Sequence, residues 1–130
     1  MIVGLGIDII EIDRIAKARE RWTERFMRRI LTDGERKYCG KFADPAPEIA
    51  ARFAAKEAFT KAIGTGITRG VGWKDIEVIK ERGKPPFLRV RGRALEFANL
   101  RGINNIHLSL THAQKYAAAV VVVEKVKKFP

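Results

Sequence analysis

The segment Ala51–Gly66, ARFAAKEAFTKAIGTG, constrains the fold more than any other part of this chain. Apolar residues cover most faces of the helix it predicts, and such a helix belongs in a core rather than on a surface. Yet Arg52, Lys56, Glu57 and Lys61 are set into it. Burying these groups is costly unless opposite charge sits among them. A divalent metal and a polyphosphate would both satisfy that demand. The helix is predicted from about Pro47 to Ile63, with Gly64-Thr65-Gly66 as its stop. A distant segment, GLGIDIIEIDRI, adds Asp8 near the end of an apolar strand. Two acids beside lysines and glycines point to a metal that grips a diphosphate.

A chain of 130 residues is expected to form one domain, 1–130, with a single core. Its longest apolar run, Tyr116–Val123, falls well short of the ~20 residues of a membrane span and reads as a buried strand. The N-terminus shows no basic region followed by a long apolar one, so no signal peptide is expected. A lone Cys39 forms no internal disulfide and no metal cluster, which fits a reducing, cytoplasmic setting. Net charge is +11, which attracts nucleic acid, anionic lipid or an acidic protein. Its distribution is uneven: from Arg14 to Lys41, ten Lys/Arg stand against four Asp/Glu, a net of +6.

Ile2–Ile9 alternates as a strand, with Val3, Leu5, Ile7 and Ile9 on one face and Ile2, Gly4, Gly6 and Asp8 on the other. The glycines are expected to leave open space on the side that Asp8 faces. Asp13 is expected to cap a helix running through Arg29. Thr32-Asp33-Gly34-Glu35 has capping-box spacing and predicts a short helix to about Phe42. After a glycine-rich loop, Gly64–Gly72, strands are predicted at Asp75–Glu81 and Phe87–Val90 around the turn Arg82–Pro86. A short helix at Ala94–Leu100 follows, then Ile106–Thr111, a turn from His112 to Lys115, and the strand Tyr116–Glu124. That last strand is apolar on both faces and should be central. The class is α+β: a largely antiparallel sheet, one long buried helix and several shorter helices.

Each candidate has a plainer reading beside it. Asp8 alone fits a turn or cap. Glu57 and Lys61, at i and i+4, fit an ordinary helix ion pair. Glu57 also shares a stripe with Ala50, Phe53 and Ala54, and a half-buried carboxylate there is explained by bound Mg²⁺. Gly64-Thr65-Gly66 fits a helix C-cap, and the chain has no P-loop or dinucleotide fingerprint. His107, Ser109 and Thr111 share the polar face of a strand whose Ile106, Leu108 and Leu110 face the core. On a helix, Arg14, Lys17, Arg21, Arg25 and Arg28 fall within about an 80° arc. Ile15, Ala18, Trp22 and Phe26 form the neighbouring, packing arc. Five like charges on one stripe fit an acidic partner; a break near Trp22 would spoil the single stripe without removing the patch.

Taken together, MIVGLGIDIIEIDRI, RFAAKEAFTKAIGTG, the hairpin GKP and the closing IHLSLTHAQKYAAAVVVVE resemble the holo-[acyl-carrier-protein] synthases, the small bacterial 4′-phosphopantetheinyl transferases. The resemblance runs nearly end to end. It implies the phosphopantetheinyl transferase fold and Mg²⁺-dependent transfer of 4′-phosphopantetheine from coenzyme A to a serine of apo acyl carrier protein, with release of 3′,5′-ADP, for fatty acid synthesis. Mn²⁺ is expected to substitute. It also implies a homotrimer with active sites between subunits.

By the same resemblance, Asp8 and Glu57 match the metal-binding acids, and Lys61 faces the phosphates. Glu57 and Lys61 are thus the catalytic candidates, with Glu57 or a metal-bound water as the base. Arg52, His112 and Gly83-Lys84-Pro85 match positions lining the coenzyme site, including its 3′-phosphate, from a neighbouring subunit. Gly64, Thr65 and Gly66 match the loop beside the nucleotide. Arg14, Arg21 and Arg25 belong to the docking surface for the acidic carrier protein. The linker Lys41–Glu48 departs from some relatives in having fewer basic residues. A nucleic-acid-binding domain explains the charge but not Asp8, Glu57 or Gly-Thr-Gly, so neither nucleic acid nor membrane is expected as a partner. A carrier-binding scaffold without catalysis would lack a metal acid.

Overall fold

The computed structural model describes residues 1–67 and 70–127, with residues 22 and 23 described by their backbone alone. Residues 68 and 69 of the glycine-rich loop therefore lie outside it. Strand β1 (Ile2–Glu11) passes without a loop into α1 (Ile12–Ile30), followed by α2 (Asp33–Cys39) and α3 (Ala46–Ile63). A 3-10 turn at Trp73–Asp75 leads into the hairpin β2 (Ile76–Ile79) and β3 (Phe87–Val90). Then come α4 (Gly92–Leu100), β4 (Asn105–His112) and β5 (Tyr116–Glu124). Both sheets are antiparallel, one ordered β1-β5-β4 and the other β2-β3. The apolar β5 is central, as its sequence requires.

The core forms where α3 lies across β1 and β5. Ala50, Ala54, Ala55, Ala58 and Phe59 are fully buried in it. Alanine favours the helix and lets it approach the sheet closely. The glycines of β1 complete that approach. A Cβ on Gly4 would stand 2.0 Å from the Ala62 carbonyl oxygen, and one on Gly6 1.8 Å from that of Ala58. The expected open space is thus filled by helix backbone. Gly64, at φ +82°, ends α3, and the Thr65 amide returns to the Thr60 carbonyl at 3.0 Å.

The sheet has two unlike faces. Gly6, Asp8, Ile10, Leu108, Val121 and Val123 point toward α3. Leu5, Ile7 and Ile9 stand on the opposite face, opposite Val122, Val120 and Ala118 of β5. These three residues are 65%, 62% and 65% exposed. His107, Ser109 and Thr111 share that open face, as their alternation predicts.

Several boundaries and partners differ from expectation. Asp13 is not a cap: Glu11 holds that position, and Asp13 sits in the first turn of α1, 2.9 Å from Lys17. Helix α1 runs unbroken through residues 22 and 23. Ile15 is buried, but Ala18 and Phe26 are only half-buried, and the Trp22 side chain lies outside the described residues. Trp73–Asp75 turns instead of extending, so β2 starts at Ile76. His112 closes β4 rather than lying in the following turn.

Each cation of α3 has a carboxylate partner within the chain. Lys56, fully buried, donates to Glu35 at 2.6 Å and to the carbonyls of Ile30 at 2.8 Å and Trp73 at 3.0 Å. Glu35 also accepts from the amides of Thr32 and Val78, at 2.9 and 2.8 Å. The predicted capping box at Thr32 is thereby formed. Removing one member leaves a buried charge unpaired. Lys56→Met is therefore expected to lower unfolding free energy by about 3–5 kcal/mol, while adding Glu35→Gln, which removes the charge but keeps an acceptor for the buried amides, should recover part of that loss. Urea unfolding of the two variants and the wild type measures both effects.

Candidate active site

Asp8 reaches the α3 side of the sheet because it follows Gly4 and Gly6 at the two-residue period. Lys61, in the last turn of α3, donates to Asp8 Oδ1 at 3.0 Å and to the Ile7 carbonyl at 2.9 Å. The ordinary helix pair of Glu57 with Lys61 is not formed. Lys61 is pinned to β1, and among the described residues the Glu57 carboxylate has no cation within 4 Å.

Glu57 stands one helical turn before Lys61, near Asp8. Burial pushes its carboxyl above the usual range, the Asp8 charge pushes it further, and Lys61 opposes both. Two carboxylates near a single ammonium, which pairs with only one of them, leave a net negative charge. Such a pair fits a hard cation that takes one or two carboxylates and completes its shell with phosphate oxygens and water. Among the described residues no third His, Cys, Asp or Glu joins them. A cation held here would therefore keep open positions.

Arg52 and His112 meet elsewhere. Arg52 lies on the α3 face one turn before Lys56, beside α2, and His112 ends β4. Tyr38, Glu48, Arg52, Lys80, Pro86 and His112 line one pocket of about 210 Å³. Sequence reasoning missed Tyr38, Glu48 and Lys80. Tyr38 and Glu48 carry no motif, and Lys80 enters only through the fold of the β2–β3 hairpin. Lys84 and Pro85 are exposed in the turn, Lys84 paired with Glu81 at 3.1 Å, and it is Pro86 that reaches the pocket. Gly64, Thr65 and Gly66 serve as the cap of α3 just beyond Lys61.

Within one chain the two groups are divided. Asp8 is on β1 and His112 on β4, the two outer strands of the sheet. Two strand spacings, about 10 Å, separate those edges. Helix α1 meanwhile starts four residues after Asp8 and presents Arg14, Arg21 and Arg25 to solvent. Arg14 and Arg25 form no ion pair among the described residues. Ala18, Phe26, Arg25 and Arg29 line a groove of about 490 Å³ on the same helix. The half-buried Ala18 and Phe26 thus form a groove floor instead of packing fully into the core.

The raised Glu57 carboxyl has a measurable consequence. Its folded-state pKa lies above the unfolded value, so its favourable contribution is complete below the unfolded pKa and is lost as pH rises through the folded one. Glu57→Gln should therefore be more stable than wild type at neutral pH. The gap should close as pH falls through the ordinary carboxylate range. Thermal melts across pH test this; a gap that widens at low pH would contradict it.

The family model of the 4′-phosphopantetheinyl transferase superfamily matches residues 4–121. A holo-[acyl-carrier-protein] synthase of Syntrophus aciditrophicus is 44% identical over 127 residues, covering 98% of this chain and 99% of the relative. The crystal structure of a holo-(acyl-carrier-protein) synthase from Bacillus anthracis, in complex with CoA (3′,5′-ADP), is 40% identical. It superposes with a TM-score of 0.81 over 97% of this chain and 99% of that one. The holo-[acyl-carrier-protein] synthase structure from Neisseria meningitidis is 36% identical, with a TM-score of 0.86 over 96% of this chain and 100% of that one.

Proposed function

The chain belongs to the 4′-phosphopantetheinyl transferase superfamily, and from that membership we propose that it transfers 4′-phosphopantetheine from coenzyme A to a serine of an apo acyl carrier protein. The near full-length likeness to holo-[acyl-carrier-protein] synthases supports the activity. The grouping of Asp8, Glu57 and Lys61 is the structural observation that carries the chemistry. The activity is that of a single domain, 1–130, acting in the cytoplasm for fatty acid synthesis. No helix among the described residues is long and apolar enough to cross a membrane.

Phosphoryl transfer requires positioning and charge neutralisation more than covalent help from the protein. Asp8 and Glu57 would hold Mg²⁺, with Mn²⁺ as a substitute, and the ion would neutralise charge on the diphosphate. Lys61 faces the same phosphates from the end of α3. The serine Oγ attacks the β-phosphorus, the new P–O bond forms, and the bond to 3′,5′-ADP breaks. Glu57 is the side chain here placed to take the serine proton. Arg52 and His112 bind the far end of the coenzyme, at the 3′-phosphate.

Because those two groups lie at opposite edges of one sheet, we assign each active site to two subunits of a homotrimer. The exposed Leu5, Ile7 and Ile9 supply an apolar surface for that assembly. The stripe of α1 and its groove suit an amphipathic helix with an acidic rim, as an acidic carrier protein would present. Since β1 runs directly into α1, the start of that stripe, at Arg14, follows Asp8 closely in the chain.

Incubation with coenzyme A, Mg²⁺ and apo carrier protein should add one phosphopantetheinyl group to the carrier, read by mass spectrometry. Asp8→Ala should lower kcat/KM by more than about 100-fold. Mixing inactive Asp8→Ala with inactive His112→Ala under subunit exchange should restore activity. No recovery despite demonstrated exchange would refute the shared site.

Charge reversal of Arg14, Arg21 and Arg25 to Glu should raise the KM for carrier protein at least about tenfold and leave that for coenzyme A nearly unchanged, because exposed charges act mainly on encounter. Added salt should slow the wild type more than the triple variant. Steady-state kinetics with each substrate varied in turn separates the two. An equal rise in both constants would place the stripe in the nucleotide site.

A further inference from the structure

Where the reading above seats a phosphate, the chain supplies a carboxylate of its own. Glu48 lies in the first turn of α3. Its Oε2 accepts from Arg52 Nη1 at 3.0 Å, and its Oε1 lies 3.3 Å from His112 Nε2. One side chain thus occupies the space between the two groups assigned to the coenzyme. The same Arg52 Nη1 also reaches the Glu48 carbonyl at 3.2 Å.

Arg52 is held but not satisfied. Its side chain is only 3% exposed. The Tyr38 ring stacks on the guanidinium with 4.3 Å to the ring centroid. Its Nε is buried and has no hydrogen-bond partner. A guanidinium presents a planar fork that matches a phosphate through two parallel donors. Glu48 engages Nη1 alone and turns its other oxygen to the His112 ring. A phosphate monoester, with three acceptor oxygens, could replace it at both.

Physical necessity explains why a carboxylate is present at all. A buried guanidinium without a counter-ion is strongly unfavourable. A pocket built only of Arg52, Lys80 and His112 would carry that cost whenever it stood empty. Glu48 removes it. The carboxylate also has somewhere to go. Its side chain is partly exposed, and the first turn of a helix favours negative charge even when no ion pair is made.

We propose that Glu48 is a stand-in anion: it holds the phosphate position between Arg52 and His112 in the free protein and yields it to the terminal phosphate monoester of coenzyme A. Glu48 is thereby a specificity-determining residue that limits how strongly that phosphate is selected. The proposal rests on the assignment of the Arg52–His112 pocket to the 3′-phosphate.

Calorimetric titration of the full-length protein with coenzyme A and with dephospho-coenzyme A, which lacks that phosphate, tests it. Wild type should prefer coenzyme A. Glu48→Gln and Glu48→Ala should each increase the preference by at least about fivefold, because the buried Arg52 then lacks its counter-ion until the phosphate arrives. Binding of dephospho-coenzyme A should stay unchanged. Glu48→Asp withdraws the carboxylate by one methylene and should move the preference the same way, which preserves the test if a neutral variant fails to fold. If the variants bind coenzyme A more weakly, or with unaltered preference, Glu48 supports Arg52 without competing for its place, and the proposal is wrong. Arg52→Gln identifies the other failure. Should it leave the wild-type preference intact, the phosphate binds elsewhere and the pocket assignment falls with the proposal.

Discussion

The rotation of α3 about its own axis is set by the buried contact between Lys56 and Glu35. Lys56 points inward to Glu35, to the end of α1 and to the turn before β2. Burial pulls its pKa down and Glu35 pulls it back up. The pair reaches further through Thr32, whose hydroxyl donates to Glu77 at 2.6 Å, and Glu77 pairs with Arg91 at 2.9 Å. The end of α1, the start of α2, a hairpin and the approach to α4 are thus tied to one ammonium group. Successive residues of a helix differ by about 100°. With Lys56 fixed inward, Glu57 must turn toward the sheet edge. Lys61 follows it one turn later, and Arg52 keeps to the side of Lys56.

One helix therefore divides two kinds of chemistry. Its Glu57–Lys61 face meets Asp8 on β1, and its Arg52 face meets Tyr38 of α2 and His112 of β4. The division depends on close approach. The Ala58 and Ala62 carbonyls lie where Cβ atoms of Gly6 and Gly4 would be, so any side chain there would push α3 away from the strand. Asp8 and Lys61 would then lose contact. The same glycines that admit the helix set the distance on which the acid pair depends.

Much of this was legible in the sequence, for reasons that differ by element. The long helix, its glycine stop and the capping box at Thr32 are local: propensity, αL geometry and a Thr-x-x-Glu spacing define them. The centrality of β5 follows from its two apolar faces. What the sequence left hidden is long-range pairing. Lys56 and Glu35 are 21 positions apart, and no periodicity links them. Without that partner, four charges in an apolar helix look like a demand for an external ion. Three of the four, Lys56, Arg52 and Lys61, are paired inside the chain, with Glu35, Glu48 and Asp8. The glycines misled for a related reason. A strand face cleared of side chains can receive a ligand or a helix backbone, and only the packing of α3 distinguishes the two.

The exposed face of the sheet brings charge and assembly into one argument. A chain carrying +11 repels its own copies, so association needs a surface where apolar area outweighs that repulsion. Leu5, Ile7 and Ile9 with the β5 valines form such a surface, and the basic stripe of α1 is carried on a different element. The surface includes both β1 and β4, the two strands that carry Asp8 and His112. Copies packed through it can bring the β1 edge of one beside the β4 edge of another. The proposed assembly would then do more than bury aliphatic side chains: it would join the carboxylate pair to the arginine pocket, which the order β1-β5-β4 keeps apart within a single chain.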